Sequence, residues 1–174
     1  MRSLKLGLAL AAIAASVLAA TAPRVATAAP PSEAPVMAEF EGRTINLAES
    51  WGDAAACTSD GASTRCYRTE AEMDAAEPGD AVEMASCSSS LRLYSSTGYG
   101  GSVLALSQRG TYINLWTYGF DNVTSSYKVG ACSSTFYAGA YGGTPVYPGY
   151  TGAWASASSM LSAWNNRVSS VYIS

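Results

Sequence analysis

The sequence contains no histidine, which removes the commonest general base and the usual partner of a serine or cysteine nucleophile. Carboxylates are almost missing from its second half. Asp121 stands alone between residues 87 and 174, so a glycosidase pair of carboxylates cannot form there. No C-x-x-C spacing suggests a thiolate metal site. Beyond Leu6 to Ala20 there is no long apolar run, and that one is too short for a spanning helix. Basic residues are few and scattered, against a nucleic-acid surface. The acids Glu70, Glu72, Asp74 and Glu77 invite an acid–base role, but a solvated helix face accounts for them better. These absences point away from an enzyme.

What is present begins with a targeting pattern. Arg2 and Lys5 precede the apolar run and Ala26-Thr27-Ala28 follows it, the layout of a secretory signal peptide spanning 1–28. Cleavage after Ala28 would leave 146 residues, enough for one ordinary domain, extracellular and free of the membrane. Four cysteines, Cys57, Cys66, Cys87 and Cys132, agree with an oxidising destination and two disulfides.

Charge divides the mature chain near Cys87. Residues 29–86 hold twelve acids and three arginines, net −9, whereas 87–174 hold Arg92, Arg109, Lys128 and Arg167 against Asp121, net +3. The acidic arm either docks onto the basic domain or is a solvated, cleavable segment. Within the arm, Pro30, Pro31 and Pro35 predict an extended linker over 29–42, followed by an acidic segment over 43–86. Thr44 to Leu47 alternates like a short strand. Cys57 and Cys66 flank the turn dipeptide Asp60-Gly61, so a disulfide-closed loop is the simplest proposal there. Thr69 with Glu72 makes a capping box, predicting a helix from Glu70 to Glu77 that Pro78-Gly79 stops.

After Cys87 short alternating runs rich in Tyr, Val, Leu and Thr are separated by Gly, Ser and Asn, the pattern of an all-β domain. The runs occur twice. Leu91 to Tyr94 and Val103 to Leu106 enclose Tyr99-Gly100-Gly101; Thr135 to Tyr137 and Val146-Tyr147 enclose Tyr141-Gly142-Gly143. Phe136, Tyr141 and Gly143 sit 42 positions beyond Tyr94, Tyr99 and Gly101. The repeated glycine implies positive φ or close backbone approach, and the flanking aromatics can fold over the hairpin. Each unit ends in an oxygen-rich run: Asp121-Asn122-Val123-Thr124-Ser125-Ser126, then Asn165-Asn166-Arg167-Val168-Ser169-Ser170, 44 positions on. Amide, carboxylate, hydroxyl and carbonyl oxygens without imidazole or thiolate suit Ca²⁺ rather than Zn²⁺. Met160, Leu161 and Trp164, and Leu115 or Trp116 with Phe120, have helical spacing and are expected to plug the core.

The aromatic-x₄-aromatic-x-Gly hairpin followed by the Asx-Asx-x-x-Ser/Thr-Ser run resembles the Greek-key motif of the βγ-crystallin superfamily, in both units, over residues 87–174. The resemblance implies a two-sheet β-sandwich of two Greek keys, 87–131 and 132–174, preceded by the small disulfide-containing acidic region. It implies two calcium sites that exchange ligands between the keys: Asp121, Asn122, Asn165 and Asn166, the hydroxyls of Ser125 and Ser169, the carbonyls of Val123 and Arg167, and the hairpin carbonyls of Thr97 and Gly139. The Arg167 guanidinium would have to point away from an ion. With one carboxylate, the sites should be weak, about 10⁻⁵ to 10⁻³ M. Cys87 and Cys132 each precede the first strand of a key, and pairing them would stabilise by about 4 kcal/mol in the chain-entropy model; two other connectivities remain open. Asn122-Val123-Thr124 also matches the glycosylation acceptor pattern, which is read as chance because a glycan would destroy the site.

The expectation is a secreted, non-catalytic calcium-binding module. The alternatives are a metalloproteinase inhibitor, since bacterial inhibitors of this kind have a similar crystallin-like fold, acting on an extracellular protease, and a glycan or cell-wall binding module using the tyrosines.

Overall fold

The computed structural model describes residues 33–77 and 89–174. The signal peptide, the start of the linker, Pro78-Gly79, Cys87 and the boundary placed at it lie outside the described residues. In chain order the elements are β1 (Met37–Phe40), β2 (Arg43–Asn46), β3 (Ala56–Ser59), β4 (Thr64–Tyr67), α1 (Glu70–Ala76), β5 (Leu91–Ser96), β6 (Gly100–Leu106), β7 (Tyr112–Asn114), β8 (Ser126–Lys128), β9 (Ser134–Gly139), β10 (Gly143–Val146), β11 (Ser156–Ala157) and β12 (Ser170–Ile173).

They build an all-β fold of two sheets. The first runs β11-β8-β5-β6-β3-β4-β1-β2 and the second β10-β9-β12-β7. Within each repeated unit a hairpin pairs with the fourth strand, while the third strand crosses over. Thus β7 of the first key pairs with β12 (Tyr172 opposite Tyr112), and β11 of the second key pairs with β8 (Ser156 opposite Lys128). These are two interlocked Greek keys. Alternate residues of each sheet point inward and merge into one core with Leu91, Leu93, Leu104, Leu106, Ile113, Phe136, Val171 and Ile173.

The hairpin registers correct the repeat offset. Tyr94 faces Val103 and Ser96 faces Gly100 in the first key; Tyr137 faces Val146 and Gly139 faces Gly143 in the second. The hairpins therefore superpose at 43 positions, not 42, and one residue, not two, is inserted before the second corner. Leu93 and Phe136 are the matching core residues, both 0 % exposed. Tyr94 matches Tyr137, and Tyr99 matches Gly142. The error arises because Phe136-Tyr137 and Gly142-Gly143 offer two aromatics and two glycines side by side. Gly101 takes φ +75°, and a Cβ there would collide with Ser95 Oγ, so both reasons for glycine apply at once.

The acidic arm belongs to the first sheet. β3 pairs in parallel with β6, Ala56 beside Val103 through Ser59 beside Leu106, and covers an edge that would otherwise be open. The stretch expected to be linker becomes β1 from Met37, because Ala38 and Phe40 bury their side chains, at 1 % and 2 % exposure, beside β4. Cys57 and Cys66 face each other across β3 and β4 and are disulfide-bonded. Asp60 Oδ1 accepts the amides of Ala62 (2.8 Å) and Ser63 (2.7 Å) in the turn between them. Cys132 is also disulfide-bonded.

Helix α1 begins at the expected cap: Glu72 N donates to Thr69 Oγ1 at 3.1 Å, and Glu72 Oε2 accepts from Arg68 N at 3.0 Å. It lies on the outer face of the first sheet, where Met73 packs with Ala56, Tyr94, Val103 and Ala105. Arg92 donates to Glu70 (2.7 Å) and Asp74 (2.7 Å), and Tyr94 Oη donates to Glu70 Oε1 (2.7 Å). Of the expected core plugs, Leu115, Phe120, Met160 and Trp164 are buried. Leu161 is 50 % exposed, because the 3-10 turn Ser162–Trp164 aims only Trp164 inward.

Candidate functional site

The two oxygen-rich runs form corner loops, each anchored from the core by the aromatic before it, Phe120 in one and Trp164 in the other. The backbone reverses at the second Asx: Asn122 has φ +55° and Asn166 φ +56°, the left-handed region that asparagine tolerates better than other side-chain-bearing residues. That reversal lets the corners clasp each other. Asn122 N donates to Val168 O at 3.0 Å, and Asn166 N donates to Thr124 O at 2.9 Å. Ser125 Oγ donates to Asn166 Oδ1 at 3.0 Å, and Ser169 Oγ reaches Asn122 Oδ1 at 3.5 Å. The exchange between keys is a pseudo-twofold pairing of the same atoms.

The last serine of each run ties the corner to its hairpin. Ser126 Oγ donates to Ser96 O (2.6 Å) and accepts from Tyr99 N (3.1 Å); Ser170 Oγ donates to Gly139 O (2.6 Å) and accepts from Gly142 N (3.1 Å). Ser125 N and Ser169 N donate to Tyr94 O and Tyr137 O, both at 2.8 Å. This geometry changes the hairpin carbonyls that correspond. Gly139 matches Ser96, and Thr97 matches Ala140, so Thr97 and Gly139 are not a pair, and the Gly139 carbonyl is engaged by Ser170.

The corners differ in charge. Asp121 Oδ2 accepts from Asn122 Nδ2 at 2.9 Å, while Asp121 Oδ1 is buried with no hydrogen-bond partner among the described residues. Asn165, at the matching place, is neutral and exposed. Val123 is half-buried against the core, and Arg167 is exposed. The Arg167 guanidinium lies 5.4 Å from the Trp164 ring centroid and donates to Ala163 O at 3.4 Å, so its charge is drawn towards its own loop. Thr124, the third residue of the glycosylation pattern, is fully buried.

An oxygen-only donor set, two left-handed asparagines and one orphaned carboxylate oxygen fit a hard cation of the Ca²⁺ type. Asp121, Asn122 and the Val123 carbonyl with Ser169 of the other key would serve one such ion, and Asn165, Asn166 and the Arg167 carbonyl with Ser125 a second. Among the described residues no group of three or more His, Cys, Asp or Glu side chains is placed to hold a metal ion. The sequence located them but missed the aromatic exchange beside them. In the first hairpin Tyr99 folds against Tyr94, ring centroids 5.6 Å apart and edge-on. In the second Gly142 stands in that place and Tyr112, from β7 of the other key, fills it, 5.7 Å from Tyr137 and edge-on.

No protein-family model matches the sequence, and no curated protein does. Solved structures similar to the two-key half include a βγ-crystallin from Ciona intestinalis (21 % identity, TM-score 0.39, 49 % of this chain and 99 % of that one). A double mutant of a βγ-crystallin domain from Clostridium beijerinckii is similar at 22 % identity and TM-score 0.40, over 48 % of this chain and 94 % of that one. The N-terminal domain of protein S is similar at 21 % identity and TM-score 0.40, over 49 % and 96 %. With its own crossed third strands and clasped corners, the half of the chain that carries the two repeated units has a βγ-crystallin-like fold.

Proposed function

We propose that the chain is a secreted, non-catalytic calcium-binding module whose cation stabilises the fold. The observation that supports this most is the buried Asp121 Oδ1, without a hydrogen-bond partner among the described residues, in a corner clasped through Asn and Ser oxygens from both keys. Leaving a buried carboxylate oxygen unsatisfied costs free energy that a bound cation would recover. The first corner, with its carboxylate, is the stronger of the two sites and the Asn165 corner the weaker. An ion there binds only the folded chain, because the two keys supply its ligands together.

The test is a calorimetric Ca²⁺ titration coupled to thermal melting, on the full chain and on Asp121→Ala with Asn165→Ala. With a Kd of about 10⁻⁴ M, 10 mM Ca²⁺ should stabilise the wild type by about 2.7 kcal/mol, and the double variant should lose both heat and shift. Absence of both signals from the wild type would remove the proposal.

A further inference from the structure

The four strands of the second sheet, β7, β9, β10 and β12, contain no Asp, Glu, Lys or Arg. The first sheet contains both signs, among them Glu39, Arg65, Arg92 and Lys128. Helix α1 packs on the outer face of the first sheet over Ala56, Tyr94, Val103 and Ala105. The outer face of the second gathers Tyr112, Tyr137 and Tyr172, with Tyr112 centroids 5.7 Å and 5.3 Å from the other two. Tyr112 is fixed in place by its neighbours: a Cβ on Gly142 would collide with its ring. Even so, it remains 43 % exposed.

Beside this ring, between β7 and the start of the arm, lies a cleft of about 200 Å³ lined by Glu33, Gln108, Thr111, Tyr112, Asn114 and Tyr118. Its lining is mostly hydrogen-bonding groups. Asn114 Nδ2 donates to Glu33 Oε2 at 2.6 Å, and Asn114 Oδ1 accepts from Tyr141 N at 2.7 Å, so the carboxylate is held by an amide that is itself held. The Gln108 side chain packs on Gly61.

A restrained aromatic ring next to a small polar cleft is the arrangement that recognises a sugar. The ring takes the apolar face of a pyranose, and carboxylate, amide and hydroxyl groups take its hydroxyls. The cleft has room for one ring. The acid in its lining, Glu33, accepts from hydroxyls and repels a carboxylate or sulfate. A peptide strand is disfavoured as occupant, since β7 is three residues long and β10 carries Pro145 at the sheet's edges. We propose that this cleft and the Tyr112 ring form a binding site for an uncharged saccharide.

The probes are cellotetraose and chitotetraose, with tetragalacturonate as the acidic comparison, titrated calorimetrically into the full chain. At least one neutral tetrasaccharide should give saturable heat and tetragalacturonate none. Tyr112→Ala and Glu33→Gln should each weaken binding at least tenfold, while Tyr150→Ala, a 77 % exposed ring outside the cleft, leaves it unchanged. Thr111→Arg fills the cleft mouth from an exposed position and should abolish binding with the melting temperature preserved, which covers the case in which Tyr112→Ala fails to fold. Silence from both neutral probes, equal binding of tetragalacturonate, or wild-type affinity in folded Thr111→Arg would overturn the proposal.

Discussion

Thr124 stands where the second corner has Val168, and both are fully buried. The valine fits its apolar surroundings, but Thr124 Oγ1 has no hydrogen-bond partner among the described residues. The clasp uses only the Thr124 backbone carbonyl, so Thr124→Val keeps it and removes an unsatisfied hydroxyl. It should stabilise by about 1 kcal/mol, measured as a higher denaturant midpoint at unchanged slope. Asp60 is the opposite case, a side chain whose hydrogen bonds are all local. The backbone amides of Ser63 and Ala62 hold its carboxyl below the usual aspartate value. A depressed folded pKa contributes stability above the unfolded pKa of about 3.9, and that contribution is lost as pH falls through the lower folded value. Asp60→Asn should therefore lower stability at neutral pH, and the gap from wild type should close at acid pH. The side chain is exposed, so the effect should be no more than about 1 kcal/mol.

Helix α1 is short, and its hold on the sheet is tertiary. Burial opposes the Arg92 charge, but its hydrogen bonds with Asp74 and Glu70 prevail and raise its pKa. Burial, then the bond to Glu70, raises the pKa of Tyr94. Arg92→Ala should leave Glu70 and Asp74 without their cation and destabilise by about 2 kcal/mol, between the values for buried and exposed pairs. Hydrogen exchange should show α1 opening before the sheet. The capping box made this helix legible, because Thr69 and Glu72 act within one turn. The pairing of β3 with β6 was not legible, since it rests on backbone hydrogen bonds between segments far apart in sequence and small residues such as Ala56, Cys57 and Ser59 carry no period. One signal was available. Val103-Leu104-Ala105-Leu106 is apolar without interruption, as a strand is when both its faces are covered, and Val103 and Ala105 do lie under α1. The corner residues were readable because the same run occurs twice. The hairpin register was not, because the choice between Phe136 and Tyr137 depends on which ring faces the core.

For the molecule as a whole, the arm and the two keys share one core: Phe40, Leu47 and Cys57 from the arm pack with Leu93, Leu104 and Phe120. Trp51 Nε1 donates to Tyr118 O at 2.7 Å and Val36 N to Thr117 O at 2.9 Å, so the acidic arm docks rather than floats. A chain beginning at Ser89 would bare the β6 edge and the apolar patch under α1. It should elute as aggregates in size-exclusion chromatography, at a larger apparent size than the full chain run beside it; a monomeric, cooperatively melting fragment would show that the arm is dispensable. The crossed third strands reach further. Neither key can complete a sheet from its own residues, so each half is an open clasp waiting for the other. With the disulfide of Cys132 reduced, a backbone nick near Gly130 should thus leave two fragments that are unfolded when apart and regain native spectra on mixing, a ready-made basis for a two-piece complementation assay.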